Sequence, residues 1–337
     1  MNYTGLLNRL LNREDLPHDD MLGLMRDIMC GHLTAAQIAA ILIALHMKGE
    51  TVSEIAAAAQ VMRDLSIKVT VQDDRHLVDT CGTGGDGAQT FNISTASALV
   101  AAAAGARVAK HGGRSVSSTC GSADILEKLG VNVNLTPQQV AHCVQELGVG
   151  FMFAPNHHSA MKYAAPVRRE LGVRTLFNLL GPLTNPAGAQ NQVMGVFQQD
   201  LTVKLARVLQ QLGSQHVLVV HGADGMDEIS ISGPTYIAEL KYGKVLEYSI
   251  QPQNFDLLEA PLDSIRVANA GEARTMLLSV LDNQPGSARD IVQLNAGAAI
   301  YVAGLTTTLQ EGVKKAKEVI ASGAAKNKLE GLVHFQI

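Results

Sequence analysis

Apolar positions recur at helical spacing through the first 70 or so residues. Asp19-Asp20 can cap a helix over Met21 to Cys30. Thr34-Ala35-Ala36-Gln37 and Thr51-Val52-Ser53-Glu54 both carry the spacing of a capping box. In that motif the hydroxyl and the amide or carboxylate satisfy two orphan N–H groups. An Ala/Ile/Leu-rich segment follows each box, and Gly49 can close the first. Small side chains along Ile38 to Leu45 allow close helix contacts. The pattern predicts a small all-helical domain over residues 1–72, with an apolar face for a partner subunit and a returning segment near 160–190.

From about His76 the period changes. Short β-type runs (His76 to Thr80, Arg107 to Lys110, Val149 to Phe153, Gln192 to Phe197, His216 to His221) alternate with helical ones (Ser94 to Ala104, Ser122 to Leu129, Pro137 to Leu147, Leu201 to Leu212). Apolar strands alternating with helices predict a mostly parallel sheet covered on both faces. Tyr236 to Lys241 and Val245 to Ile250 around Gly243 read as a hairpin, and the tail from Gly271 is again helical. The expected fold class is therefore α/β, a helical domain followed by a larger α/β domain over 73–337.

Composition narrows the function classes. The chain has 337 residues, 47% of them hydrophobic, which leaves room for a large core. A net charge of −4 gives no basic footprint for nucleic acid. The most apolar runs, Ala35 to Leu45 and Ala96 to Ala106, fall short of the ~20 residues that cross a bilayer. Cys30, Cys81, Cys120 and Cys143 are scattered without metal-ligand or redox spacing, as reduced packing thiols in a cytoplasm would be.

Candidate chemistry begins at Asp79-Thr80-Cys81-Gly82-Thr83-Gly84-Gly85-Asp86-Gly87. Gly82, Gly84 and Gly87 satisfy the letters of the dinucleotide fingerprint, but the context does not. A polar stretch (Gln89, Thr90, Asn92, Ser94, Thr95) precedes Ala96, where a Rossmann loop would run straight into its helix. The next strand ends in Lys110 instead of an acid for the ribose. What remains is a glycine turn followed by hydroxyls and amides at a helix N-terminus, a good anion site. A second loop, Lys110 to Ser122, holds two cations, five hydroxyls and three glycines. Two such loops on neighbouring strands imply a ligand with two anionic groups, the layout of a phosphorylated sugar diphosphate.

Five segments lie in register: Gly82-Thr83-Gly84-Gly85-Asp86, Asn92-Ile93-Ser94-Thr95, the Lys110 to Ser118 loop, Gly181-Pro182-Leu183-Thr184-Asn185-Pro186 and Asp227-Glu228. Together, over nearly the whole chain, they resemble the anthranilate phosphoribosyltransferase family. The resemblance implies transfer of a phosphoribosyl group from 5-phosphoribosyl-1-diphosphate (PRPP) to anthranilate in tryptophan biosynthesis. It also implies a homodimer formed through the N-terminal helical domain. The absence of Trp suits an enzyme made when tryptophan is scarce. Gly82, Gly85, Asp86, Thr90, Asn92, Ser94, Thr95, Lys110, Ser117, Ser118 and Ser122 would hold PRPP. Ser94, Asp227 and Glu228 would bind Mg²⁺, and Lys110 would neutralise the leaving diphosphate. Gly82, His111, Gly113, His158, Arg168 and Pro182 would line the anthranilate site.

One position departs from the pattern. The family's second loop commonly carries asparagine before its arginine, and this chain has Gly113 there. That glycine, and Asp124, also fit the pyrimidine nucleoside phosphorylases, an alternative that would need neither the Asp227-Glu228 pair nor Gly181 to Pro186. A non-catalytic relative that binds nucleic acid is a second alternative, opposed by the acidic balance. Adjacent carboxylates suit Mg²⁺ shared with substrate phosphates. A planar guanidinium at Arg168 matches a carboxylate through two hydrogen bonds, with Arg169 beside it on the helix surface. His111 and His158 would orient the attacking amine or accept its proton, and His157 reads as structural.

Overall fold

The computed structural model describes residues 2–114 and 120–335. Four helices open the chain: α1 (Tyr3–Leu11), α2 (His18–Met29), α3 (Ala35–Lys48) and α4 (Val52–Leu65). Both capping boxes form. Thr34 Oγ1 accepts from the Gln37 N–H at 3.3 Å while Gln37 Oε1 accepts from the Thr34 N–H at 2.9 Å. The Thr51–Glu54 pair repeats this at 3.2 and 2.8 Å. Asp19 and Asp20 do not cap α2. They lie inside its first turn, and Pro17 holds the cap position with no side-chain bond. The extended backbone at Pro17 starts the helix two residues earlier than an Asp19 cap would and three earlier than an Asp20 cap, and the two acids face the positive end of the helix dipole instead.

Glu54 has a further role. Its fully buried carboxylate also accepts from the Leu16 N–H at 2.9 Å and from Lys48 Nζ at 2.9 Å. Asp15 takes the same ammonium at 2.7 Å. One buried charge pair thus ties the α1–α2 turn, the end of α3 and the start of α4.

The rest of the described chain alternates strands and helices. β1 (Leu77–Thr80), α5 (Ile93–Ala103), β2 (Arg107–Gly112), α6 (Ser122–Lys128), α7 (Pro137–Leu147) and β3 (Val149–Phe153) come first. The returning segment carries α8 (Ala154–His157), α9 (Ala165–Leu171) and α10 (Phe177–Leu180). After it come β4 (Asn191–Gly195), α11 (Leu201–Gln211), β5 (His216–Gly222), β6 (Thr235–Lys241) and β7 (Lys244–Ile250). The tail is α12 (Ala270–Leu281), α13 (Ser287–Val302), α14 (Leu309–Ala321) and α15 (Ala324–Val333). The sheet order is β3-β2-β1-β4-β5-β6-β7, parallel from β3 to β5 and antiparallel beyond. Tyr242 and Gly243, both at positive φ, make the tight turn of the β6–β7 hairpin.

Alternation along the strands divides the core. Val78, Val108, Val193, Leu218 and Val220 face α5 and α13. Met194, Val217 and Val219 face the other way, into one apolar cluster with Ile41, Leu45 and Val61 of the N-terminal helices. Val167, Leu176, Phe177 and Leu180 of the returning segment join that second cluster. The chain leaves the helical unit, builds half the sheet, and comes back to complete the helical core. α13 and α14 cross at two glycines, where a Cβ on Gly312 would stand 2.2 Å from the Gly297 carbonyl oxygen.

Removing the carboxylate at Glu54 strands a desolvated ammonium. Breaking a buried pair from one side costs ~3–5 kcal/mol, so Glu54→Ala is expected to lower the urea midpoint of unfolding by that equivalent. A change under ~1 kcal/mol would show that solvent or Asp15 alone suffices for Lys48.

Candidate active site

β1 is the strand from which the sheet grows both ways, with β2 and β3 on one side and β4 and β5 on the other. Loops leaving the carboxyl ends of strands part at such a switch point and open a crevice. Here the glycine loop after β1 runs along the end of β4. The Cys81 N–H donates to the Val193 carbonyl at 3.3 Å, and the Thr83 N–H to the Gly195 carbonyl at 2.9 Å.

Asp227, from the loop after β5, enters the same place, which only glycines permit. A Cβ on Gly195 would lie 1.5 Å from the Asp227 carbonyl oxygen, and one on Gly82 would lie 2.4 Å from Asp227 Oδ2. That oxygen accepts from the Gly84 N–H at 2.7 Å, and the Asp227 N–H donates to Asp86 Oδ2 at 3.3 Å. Gly84 and Gly85 at positive φ turn the loop to present that N–H.

Glu228 is bonded to the backbone at Ser94, in the first turn of α5. Lys110 Nζ donates to Ser94 Oγ at 3.1 Å and to the Thr80 carbonyl. Loss of water, then the charge of Asp86, pushes the Asp227 carboxyl well above the usual carboxylate range. Glu228 is raised likewise, by loss of water and then by Asp227. Asp86, Asp227 and Glu228 crowd together, with Lys110 acting on Glu228, and such a set suits a hard divalent cation. Among the described residues no group of three or more His, Cys, Asp or Glu side chains is arranged to hold a metal alone. A cation at Asp227, Glu228 and Ser94 would complete its shell with substrate oxygens and water, as Mg²⁺ usually does.

Around this cluster polar atoms lack partners. Asn92 Oδ1, Thr95 Oγ1 and Thr83 Oγ1 are buried and unbonded, and buried polar atoms are seldom left so without a ligand or water. Asn92 Nδ2 donates to the Cys120 carbonyl at 2.9 Å, joining the first loop to the second. Ser122 Oγ donates to the Gly113 carbonyl at 3.4 Å. Thr90 is held by a bridge to Arg266, outside this knot. Ser117 and Ser118 lie outside the described residues. Cys81 and Cys120 are free, and burial pushes both thiols up, Cys120 to about 11.

Consecutive strand residues face opposite sides, so His111 points away from Lys110. It meets His158 with ring centroids 5.1 Å apart, and Nε2 of each ring is buried without a partner. Burial lowers His111 to about 3 and His158 to about 4. Both rings are therefore neutral and weakly basic, fit to orient a donor but poor acceptors of a proton. His111 is also bonded to the backbone at Gly181, next to Pro182, whose carbonyl accepts from Gln192 Nε2 at 2.8 Å. Among the described residues nothing stands within 4 Å of a Cβ placed on Gly113. Arg168 stands with its guanidinium 5.5 Å from the Phe177 ring centre and makes no ion pair among the described residues, while Arg169 is exposed. His157 is bonded to Ile67 through Nδ1 at 3.0 Å and through its carbonyl at 2.9 Å. Asp124 is engaged by Arg114 at 3.1 Å and by the Gly121 N–H at 2.9 Å.

Two residues escape the sequence reading. Asp79 is fully buried, accepting from the His111 N–H at 3.2 Å and from Asn185 Nδ2 at 2.7 Å. Burial raises its carboxyl to about 6, against the Asn185 bond and Lys110. An acid inside the apolar run Leu77-Val78-Asp79 was the available signal. Arg174 donates to the Gly85 carbonyl, a contact 89 positions away that no local pattern announces.

The chain matches the glycosyl transferase family, a/b domain, over residues 74–326, and the helical bundle domain of that family over 4–66. It is 60% identical over 335 residues to the anthranilate phosphoribosyltransferase of Nitrosomonas europaea, covering 99% of this chain and 98% of that one. The chain belongs to the anthranilate phosphoribosyltransferase family. The crystal structure of the anthranilate phosphoribosyltransferase from Thermus thermophilus superposes with a TM-score of 0.92 at 43% identity, covering 99% of this chain and 98% of that one. The Saccharomyces cerevisiae enzyme in complex with PRPP and Mg superposes at 0.89 with 26% identity, over 98% and 96%. A small helical domain with a larger α/β domain and a mostly parallel sheet is thus this family's fold, and the chain has it.

If Arg168 holds the acceptor's carboxylate, Arg168→Ala should raise the anthranilate KM by roughly 10- to 150-fold, the equivalent of ~1.5–3 kcal/mol for a charged hydrogen bond. Arg169→Ala should change it little, and equal effects would shift the assignment by one residue. Because both buried histidines stay neutral, the anthranilate KM is expected to be flat from about pH 6 to 8. A titration in that interval abolished by His111→Asn or His158→Asn would mean that the ring is charged.

Proposed function

We propose that this chain transfers the phosphoribosyl group of PRPP to the amine of anthranilate, giving N-(5-phosphoribosyl)anthranilate and diphosphate, in tryptophan biosynthesis. One observation carries the reading: an acid-and-lysine cluster at the α5 N-terminus lies on one face of β2, and two neutral histidines with unpartnered nitrogens lie on the other. A polyanionic donor and a neutral amine need those two environments side by side.

Gly82, Gly85, Asp86, Thr90, Asn92, Ser94, Thr95, Lys110, Ser117, Ser118 and Ser122 are assigned to PRPP. The unbonded buried oxygens of Asn92 and Thr95 support that assignment, as partners for the PRPP hydroxyls. Asp227, Glu228 and Ser94 would hold Mg²⁺, directly or through water, and bound there it would neutralise diphosphate charge. The bond from C1 of the ribose to the diphosphate breaks with cationic character on the sugar, and the amine nitrogen then bonds C1. Lys110 and the backbone N–H groups of the α5 N-terminus stabilise the departing anion. An arylamine is uncharged at neutral pH, so its proton can leave to solvent or diphosphate after attack without a strong base. His111 and His158 orient it, Arg168 fixes the carboxylate, and Gly82, Gly113 and Pro182 are assigned to the lining of the anthranilate site.

In this reading residues 1–72 with the returning segment near 160–190 form one domain, and 73–337 the other. Leu11 and Met47, 66% and 71% exposed on the helical unit, support pairing of two copies through it. Four free thiols suit a reducing cytoplasm. Among the described residues no helix is long and apolar enough to cross a membrane.

Asp227→Ala and Glu228→Ala should each lower turnover ~100-fold or more, on the scale of losing a preorganised charge-stabilising group. Each should leave the unfolding midpoint at or above that of the wild type, because a carboxylate with a raised pKa favours the unfolded state once ionised. An unchanged magnesium dependence in both variants would refute the assignment.

A further inference from the structure

We infer that Arg174 is a positioning residue that holds the PRPP loop from the acceptor side of the site. The inference rests on the proposed transfer reaction and adds a residue that none of its assignments uses. Arg174 follows α9, which ends at Gly172 in the left-handed conformation. Its own backbone is fixed from below, because Thr175, Leu176 and Phe177 are buried and the Thr175 N–H donates to Asn178 Oδ1 at 3.0 Å. The side chain is exposed, yet it is not idle. Nη2 donates to the Gly85 carbonyl, and the guanidinium carbon stands 4.0 Å from the centre of the Phe197 ring, just beyond β4.

The loop it grips is tied on either side of Gly85 by the Gly84 and Asp86 contacts to Asp227, and Arg174 holds the Gly85 carbonyl between them. Gly84, Gly85 and Gly87 all sit at positive φ and carry no side chain that could pack, so this stretch loses the most backbone freedom on becoming ordered. Gly85 lies between two contacts of Asp227: the Gly84 N–H on its carboxylate and the Asp86 carboxylate on its N–H. A strap on the Gly85 carbonyl therefore sets the geometry of the acidic cluster without touching it. Arg174 makes no ion pair among the described residues, so its charge is not spent on a carboxylate. Its planar head serves two directions at once, the face on Phe197 and an edge N–H on Gly85. A lysine has the charge but not that shape. By ordering the loop before the donor arrives, Arg174 removes part of the ordering cost of PRPP binding.

Steady-state kinetics and calorimetric PRPP binding with Mg²⁺ on the full chain test this. Arg174→Ala should raise both the KM and the Kd for PRPP about five- to twentyfold. The anthranilate KM should stay within about twofold and kcat within about threefold, and the unfolding midpoint should not move. Arg174→Lys should recover less than half of the loss, and Phe197→Leu should show a smaller loss of the same kind. Full recovery by lysine would mean that charge alone acts, and would overturn the strap. So would an unchanged PRPP Kd in Arg174→Ala, or a rise confined to the anthranilate KM. If the wild type binds PRPP but consumes no anthranilate, the proposed reaction fails, and the calorimetric arm still decides the role of Arg174.

Discussion

The site depends on one close approach. Asp227 can enter the switch point between β1 and β4 only because residues 82 and 195 have no side chains. Its backbone lies against one and its carboxylate against the other. From that wedge the rest follows: the Gly84 N–H finds its acceptor, Asp86 finds a backbone donor, and Glu228, next along the chain, reaches the first turn of α5. The burial that makes the approach possible also raises both carboxylates. The fold thus holds acids where they are individually unfavourable, an arrangement expected of a functional site more than of a stabilising one.

In the proposed reaction a second constraint separates the two substrates. Lys110 and His111 are neighbours in β2, and the pleat sends them to opposite faces. Lys110 meets Ser94 and the Thr80 carbonyl, and His111 meets His158 and the Gly181 turn. Asp79 and Asn185 support this division from inside, because Asn185 Nδ2 bridges the Asp79 carboxylate at 2.7 Å and the Ala109 carbonyl at 2.9 Å. The Gly181 to Pro186 turn is thereby fastened to β1 and β2 instead of drifting with the helical unit that its neighbours pack on.

What the sequence makes legible is local. Capping boxes at Thr34 and Thr51, strands with apolar runs and a tight turn at Gly243 follow from neighbours a few positions apart, and they stand within one or two residues of the observed ends. Asp19-Asp20 misleads for a local reason too, since proline at 17 preempts the cap. The loops are readable as anion sites because glycine and hydroxyls concentrate there. Two features are not readable: the reach of Arg174 to Gly85, and the low basicity of His111 and His158. Each depends on which distant residues surround a group, and spacing along the chain carries no trace of that. Gly113 is the departing letter of the second loop, and among the described residues nothing stands within 4 Å of a Cβ placed there.

In the proposed reaction the two faces of β2 bring PRPP and anthranilate together. The most direct measurement is the fluorescence of anthranilate mixed with the protein, Mg²⁺ and PRPP. Fluorescence should fall with time, stop when the limiting substrate is exhausted, and not fall when PRPP or the protein is omitted. Steady fluorescence under those conditions, with phosphate-dependent cleavage of thymidine by the same preparation, would contradict the account and transfer the site to nucleoside phosphorolysis.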